Sequence, residues 1–204
     1  MKMAKKFLAV ALAGVLALSV LTGCGNSVKS KDIADSLTKM GVKVEQDDGV
    51  DATAKETLKA IEAIINDTDN AAKQDSDTSK ITLENAVEGH VGTVIKDNSI
   101  SNTADAVKKA LGVFTGTGAT AADKANEGKR VEVALVKTEN ATKDASLQAA
   151  LVKDGLVRAQ SPLLIDSNHN KTKEIVEPGK LGSAKTSDGK YILVVIVNDV
   201  VAKS

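Results

Sequence analysis

Five side chains carry the reactive chemistry of this chain: Cys24, His90, His169, Glu84 and Glu139. Cys24 is the only cysteine and closes the run Leu21-Thr22-Gly23-Cys24. A shared metal would need both imidazoles together with carboxylates such as Glu84, Glu88 or Glu139. No His-Glu-x-x-His or His-x-His spacing gathers them, so neither a metal nor another cofactor is expected. His90 falls on an apolar helical stripe, which suits a half-buried histidine. His169 lies in Ser167-Asn168-His169-Asn170, which reads as a solvated turn. Nucleophilic catalysis has no Gly-x-Ser-x-Gly turn. Gly116-Thr117-Gly118 lacks both the preceding strand and the Gly-Lys-Thr that a phosphate loop requires. Asp67, Asp69, Asp75 and Asp77 are of calcium-ligand type, but no glycine and terminal glutamate complete a loop of the EF-hand kind. A solvated acidic loop is the simpler reading, with a weak calcium site as the alternative.

The residues ahead of Cys24 say where the protein is held. Lys2, Lys5 and Lys6 form a positive start with no acid nearby, and Phe7 to Val20 is a small-and-apolar run interrupted only by Gly14 and Ser19. That run has the length of a signal sequence and falls short of the ~20 residues of a membrane-spanning helix. With Thr22 and Gly23 at the cut, residues 21–24 resemble the lipobox of bacterial lipoproteins. The resemblance implies cleavage between Gly23 and Cys24 and a thioether-linked diacylglycerol on Cys24. Two acyl chains hold a protein on a membrane stably where one does so only marginally. The expected organisation is a signal peptide over 1–23, a lipidated tether over 24–31, and a single extracytoplasmic domain over 32–204. The expected address is the outer face of the bacterial plasma membrane, or the periplasm-facing side where an outer membrane is present.

Charge and composition narrow the partners. The chain holds 27 bases and 27 acids, and removing residues 1–23 takes away three lysines and no acid. The mature chain is therefore slightly acidic, without the basic stripe that nucleic acid favours and without a basic patch beside the lipid. Phe114 and Tyr191 are the only aromatics left after the leader, and tryptophan is absent. Ring stacking on sugars or bases loses its usual side chains, and the core must be built from Val, Ile, Leu and Ala. With arginine only at 130 and 158, the residue types that dominate protein-recognition hot spots are scarce.

Periodicity predicts the elements that position these groups. Ile33, Leu37 and Met40 recur at helical spacing, with Gly41 as a stop. Thr53 and Glu56 form a capping box for a helix lined by Ala54, Leu58, Ile61 and Ile65. Leu83, Ala86, Val87, His90 and Val94 make one stripe of a third helix over 82–96. A fourth starts near Thr103 and carries Val107, Leu111 and Phe114. Val131, Val133 and Leu135 alternate with Glu132, Ala134 and Val136, as in a strand over 130–137. A helix over 143–159 carries apolar Leu147, Ala150, Leu151 and Val157. Asp188-Gly189 between 181–187 and 191–197 signals a tight hairpin. The unbroken apolar run at 191–197 marks a central strand covered on both faces. The expected fold is α+β: four N-terminal helices, then a three-stranded, mainly antiparallel sheet with a C-terminal hairpin and helices on both faces.

The tail resembles the CAP (cysteine-rich secretory, antigen 5, pathogenesis-related) superfamily in its bacterial form. Ser167, His169, Ile175, Pro178, Leu181-Gly182, Asp188-Gly189 and Tyr191 occur in the family's order. The Ser-to-His step is one residue short. The family's Gly-Glu-Asn-Ile segment is also missing before the second histidine, and Leu83-Glu84-Asn85-Ala86 comes before His90 instead. The resemblance covers residues 130–198 and implies a cleft gathering His90, His169 and Glu84 or Glu139. Three functional readings follow. The first is a membrane-anchored envelope lipoprotein with a non-catalytic binding or structural role and an envelope protein or peptidoglycan as partner. The second is a divergent CAP-like domain. The third, a small solute-binding lipoprotein, has a short chain and no stacking residues to support it.

Overall fold

The computed structural model describes residues 28–83, 91–94, 105–113, 117–120, 128–137, 144–159 and 173–202. In chain order the elements are α1 (Ser30–Lys39), β1 (Val44–Gln46), α2 (Asp48–Ile65), α3 (Thr68–Ala71), β2 (Val91–Val94), α4 (Asp105–Ala110), β3 (Lys129–Lys137), α5 (Ala145–Ala159), β4 (Lys173–Ile175), β5 (Gly179–Lys185) and β6 (Tyr191–Ala202).

Helix α1 begins because the backbone N–H of Lys29 donates to the Asp32 carboxylate at 3.0 Å, and Ile33, Ala34 and Leu37 are buried one turn apart. Its start at Ser30 lies inside the stretch read as tether. It ends at Gly41, whose φ of +88° few side chains tolerate. The N–H of Val42 then donates to Leu37 O and that of Gly41 to Thr38 O, both at 3.0 Å, the paired bonds of a Schellman stop. The next helix is capped six positions earlier than the Thr53 capping box predicts. Asp47 is the cap, accepting from Val50 N at 3.0 Å. Thr53 instead sits inside the helix, its hydroxyl donating back to Gly49 O, the usual resort of a threonine within a helix. The predicted face holds: Ala54, Leu58 and Ile61 are buried.

The sheet is larger than the three strands expected. Six strands are present in the order β1-β5-β6-β3-β2, with β4 pairing the end of β6. Strand β6 is central, antiparallel to β3 from Lys137↔Tyr191 to Lys129↔Asp199 and to β5 from Lys185↔Ile192 to Lys180↔Val197. Two of the additions are three-residue edge strands that periodicity is too short to show. β1 lies parallel to β5 and β4 antiparallel to the last residues of β6. The third, β2, overturns part of the predicted helix over 82–96. Val91–Val94 pairs antiparallel with β3. Two β-branched valines, a threonine and a glycine favour an extended edge over a helix end. Residues 84–90 and 95–96 of that segment lie outside the described residues, as does Phe114.

Alternation along β6 divides the interior in two. Leu193, Val195 and Val197 face α2 and α4 with Val131 and Val133. Ile192, Val194 and Ile196 face α1 and α5 with Ala134 and Val136. Helices therefore cover both faces, and the α+β class holds. Among the described residues neither cluster contains an aromatic ring. Each fully buried Val, Leu or Ile contributes about 1.5–3 kcal/mol. In α5 the predicted apolar residues Leu147, Ala150 and Leu151 are not on the buried side. Gln148, Ala149 and Val152 point inward, while Leu147 and Leu151 are exposed.

Candidate functional site

Two polar clusters are built into this frame. The first lies where β1 turns into α2. Strand β1 pairs β5 only as far as Gln46↔Leu181, and the N–H of Asp47 adds one more bond to Leu181 O at 2.9 Å. The chain then leaves the sheet, which would strand the next β5 donor. Asp51, in the first turn of α2, takes its place: Oδ1 accepts the N–H of Ser183 at 2.8 Å. The same oxygen accepts the Ser30 hydroxyl at 2.5 Å, and Oδ2 accepts from Gln46 Nε2 at 2.8 Å. Ser30 has spent its only proton on the carboxylate. In its 2.7 Å contact with Ser183 Oγ, Ser183 must therefore be the donor.

Two hydroxyls on a carboxylate resemble part of a nucleophilic set, but each donor and acceptor here is consumed in joining α1, β1, α2 and β5. No described imidazole or amine stands by to take the Ser30 proton. The cluster is a fastening. Asp47 beside it is held below the usual carboxylate range, first by the Val50 N–H and then by Lys180. Asp48 and Asp51 also place negative charge on the first turn of α2, where a helix favours it. Asp51→Ala should lower stability by about 1–3 kcal/mol, because a strand N–H and two side-chain donors lose their acceptor. Asp51→Asn keeps one acceptor oxygen and should cost less. Urea denaturation of the two variants checks the order.

The second cluster is an ion pair inside the sheet. Arg130 and Glu132 occupy alternate positions of β3 and are 8 % and 6 % exposed, and the Arg130 guanidinium donates to the Glu132 carboxylate through Nη2. Both lie on the face that carries Ala134 and Val136 further along the strand. Asn198 is opposite Arg130 in β6 and donates through Nδ2 to Val176 O at 3.1 Å, bracing the interval between β4 and β5. Burial pushes the Glu132 carboxyl up, and Arg130 pulls it back down. Nε of Arg130 has no hydrogen-bond partner.

The expected lipidation and cleft residues, Gly23, Cys24, Glu84, His90, Glu139 and His169, lie outside the described residues. The Asp-rich loop is described, and its acids do not converge. Asp67 accepts from Asp69 N, Asp77 from Ser79 N, and Asp75 pairs Lys80 at 2.7 Å. Asn70 closes the loop, donating to Ile65 O and Ile81 O and accepting from Ile81 N. Among the described residues no group of three or more His, Cys, Asp or Glu could hold a metal, and no helix is long and apolar enough to cross a membrane.

The Arg-x-Glu step in β3 was open to sequence reading, since alternation puts both charges on one face of a strand otherwise apolar there. The Asp51–Ser183 contact had no local signal, because the partners are 132 positions apart. No family model, curated protein or solved structure matches this chain.

Proposed function

We propose that this is a lipid-anchored cell-envelope protein with a non-catalytic binding or structural role. It would be held on the outer face of the plasma membrane by diacylglycerol on Cys24, with an envelope protein or peptidoglycan as its partner. The observation that carries the reading is the lone cysteine directly after Leu21-Thr22-Gly23, behind a basic start and an apolar run. The position of the fold agrees with it. Val28, four positions after Cys24, already packs against the α1–α5 cluster, so lipid and domain are joined by little free chain. The non-catalytic part is supported by the Ser30–Asp51–Ser183 cluster, whose hydroxyls and carboxylate are engaged in joining α1, α2 and β5.

Cys24→Ala should leave the domain folded and move it from the membrane fraction to the soluble fraction, with loss of fatty-acid labelling. A Cys24→Ala protein that is cleaved after its leader yet stays with the membrane would overturn the reading. Turnover of peptidoglycan, ester or phosphate substrates, abolished by His169→Ala, would overturn its non-catalytic part.

A CAP-like domain is the second reading. It is favoured by the order of β3, α5 and the β5–β6 hairpin, with Tyr191 opening β6. It requires His90 and His169 to share a groove. Histidine resonances that titrate independently, with no through-space contact, would dismiss it.

A further inference from the structure

Among the described residues, the outward side of the first half of α5 carries exposed apolar side chains. Leu147 and Leu151, one turn apart, are 42 % and 43 % exposed, while Gln148 between them points inward at 1 %. Ala150 is exposed beside the leucines. A surface helix ordinarily turns its apolar residues to the core; here Ala149 and Val152 do so, and the two leucines are left outside.

The topology places these leucines relative to Cys24. Strands β3 and β5 are both antiparallel to β6 and so run the same way. Helix α1 doubles back through Gly41 into β1, which is parallel to β5. Helix α5 follows β3 and packs back along it. The two helices therefore run side by side in the same direction and start toward the end of the sheet that carries the β5–β6 hairpin. Lys153, in the later half of α5, donates through Nζ to Met40 O just past the end of α1 at 2.7 Å, as that direction requires. Leu147 and Leu151 thus stand in the first turns of α5, toward the end where the chain enters from Cys24. At ~3.5 Å per residue, the stretch from Cys24 to Val28 reaches at most ~14 Å.

We propose that this end of the α1–α5 layer rests on the lipid surface, with Leu147 and Leu151 entering the headgroup region. The occupant of the apolar patch is the bilayer that holds the anchor, so the inference rests on lipidation of Cys24. The reach of the tether keeps the patch close to the surface, and an interfacial contact needs an apolar side chain to enter only ~5–10 Å. Charge adds little to the attachment. Lys29 and Lys31 are exposed at the start of α1, but Lys31 is paired with Asp35 at 2.8 Å. The leucines set the orientation.

The chain has no tryptophan and one cysteine, which makes the test direct. The chain from Cys24 onward, carrying Leu147→Trp or Leu151→Trp, is coupled through Cys24 to a maleimide lipid. The vesicles are phosphatidylethanolamine and phosphatidylglycerol doped with brominated phosphatidylcholine. Val201→Trp, exposed near the opposite end of β6, is the control. The expected result is a blue shift and bromine quenching for the α5 tryptophans, and water-like, unquenched emission for the control. Emission from both α5 variants indistinguishable from that of Val201→Trp would overturn the proposal. Circular dichroism confirms folding, and either α5 variant alone suffices if the other does not fold. Chemical coupling supplies the anchor whatever the cell does to Cys24, so this test and the fractionation test fail separately.

Discussion

Replacing Arg130 by methionine should destabilise the protein by about 3–5 kcal/mol, the usual cost of leaving one member of a buried ion pair alone. For a chain of this size that is a fall in Tm on the order of 10 °C. The cause is Glu132. Its carboxyl is already pushed up by burial, and Arg130 is the charge that opposes the push. Without the guanidinium the folded state holds the Glu132 proton more tightly still, while the unfolded state releases it in the ordinary glutamate range. The variant should therefore lose stability as pH rises through that range toward the raised folded value, and recover it on acidification. Thermal melts across pH give the sign. The double variant Arg130→Met/Glu132→Leu removes both charges, and apolar side chains in place of a buried pair are often neutral or better. It should melt near the parent protein. A double variant as weak as Arg130→Met would show that the pair does more than cancel its own charge.

Gly182→Ala should be comparably severe for a steric reason. A Cβ at this position would stand 2.1 Å from the Val50 carbonyl carbon and 2.2 Å from Asp51 N. Both are backbone atoms of the first turn of α2, so no rotamer change relieves the contact. Overfilling a packed site costs about 1–3 kcal/mol and occasionally more. Here relief means moving α2 away from β5, which also pulls Asp51 off Ser183 N. The expected loss is about 3 kcal/mol or more. Gly41→Ala is the comparison. Gly41 has open space around it and pays only for its left-handed backbone, about 1–2 kcal/mol. Urea midpoints for the two alanine variants should separate clearly, and equal midpoints would remove the close approach of α2 and β5 as a determinant of stability.

Legibility in the sequence followed range. The hairpin at Asp188-Gly189, the central strand at 191–197, the strand over 130–137 and the buried face of α2 were written in local pattern. The pairing of β6 between β3 and β5 followed from the doubly covered apolar run. What was hidden depends on distant partners. β1 is a strand only because β5 lies beside it, and Val91–Val94 is extended because β3 offers an edge. Asp51 gains its role from Ser30 and Ser183, on opposite sides of it in the sequence. Helix α5 misleads for another reason: its leucines mark a helix but not its buried side. Of the functional reading, the proposed leader ending at Cys24 rests on a short linear pattern, the kind of segment on which export and lipidation act. The His90/His169 cleft rests on a resemblance whose key residues lie outside the described structure.

Strand β6 gives the chain a schedule as well as a centre. It supplies residues to both hydrophobic clusters and is the last of the described strands. Neither half of the interior can close before residue 191 is available, and the contacts that close them join segments far apart in sequence, which fold slowly. A growing or threading chain of this protein therefore has no complete core to trap it until β6 has passed. Under the export proposed above, that delay would keep the polypeptide open while it is threaded.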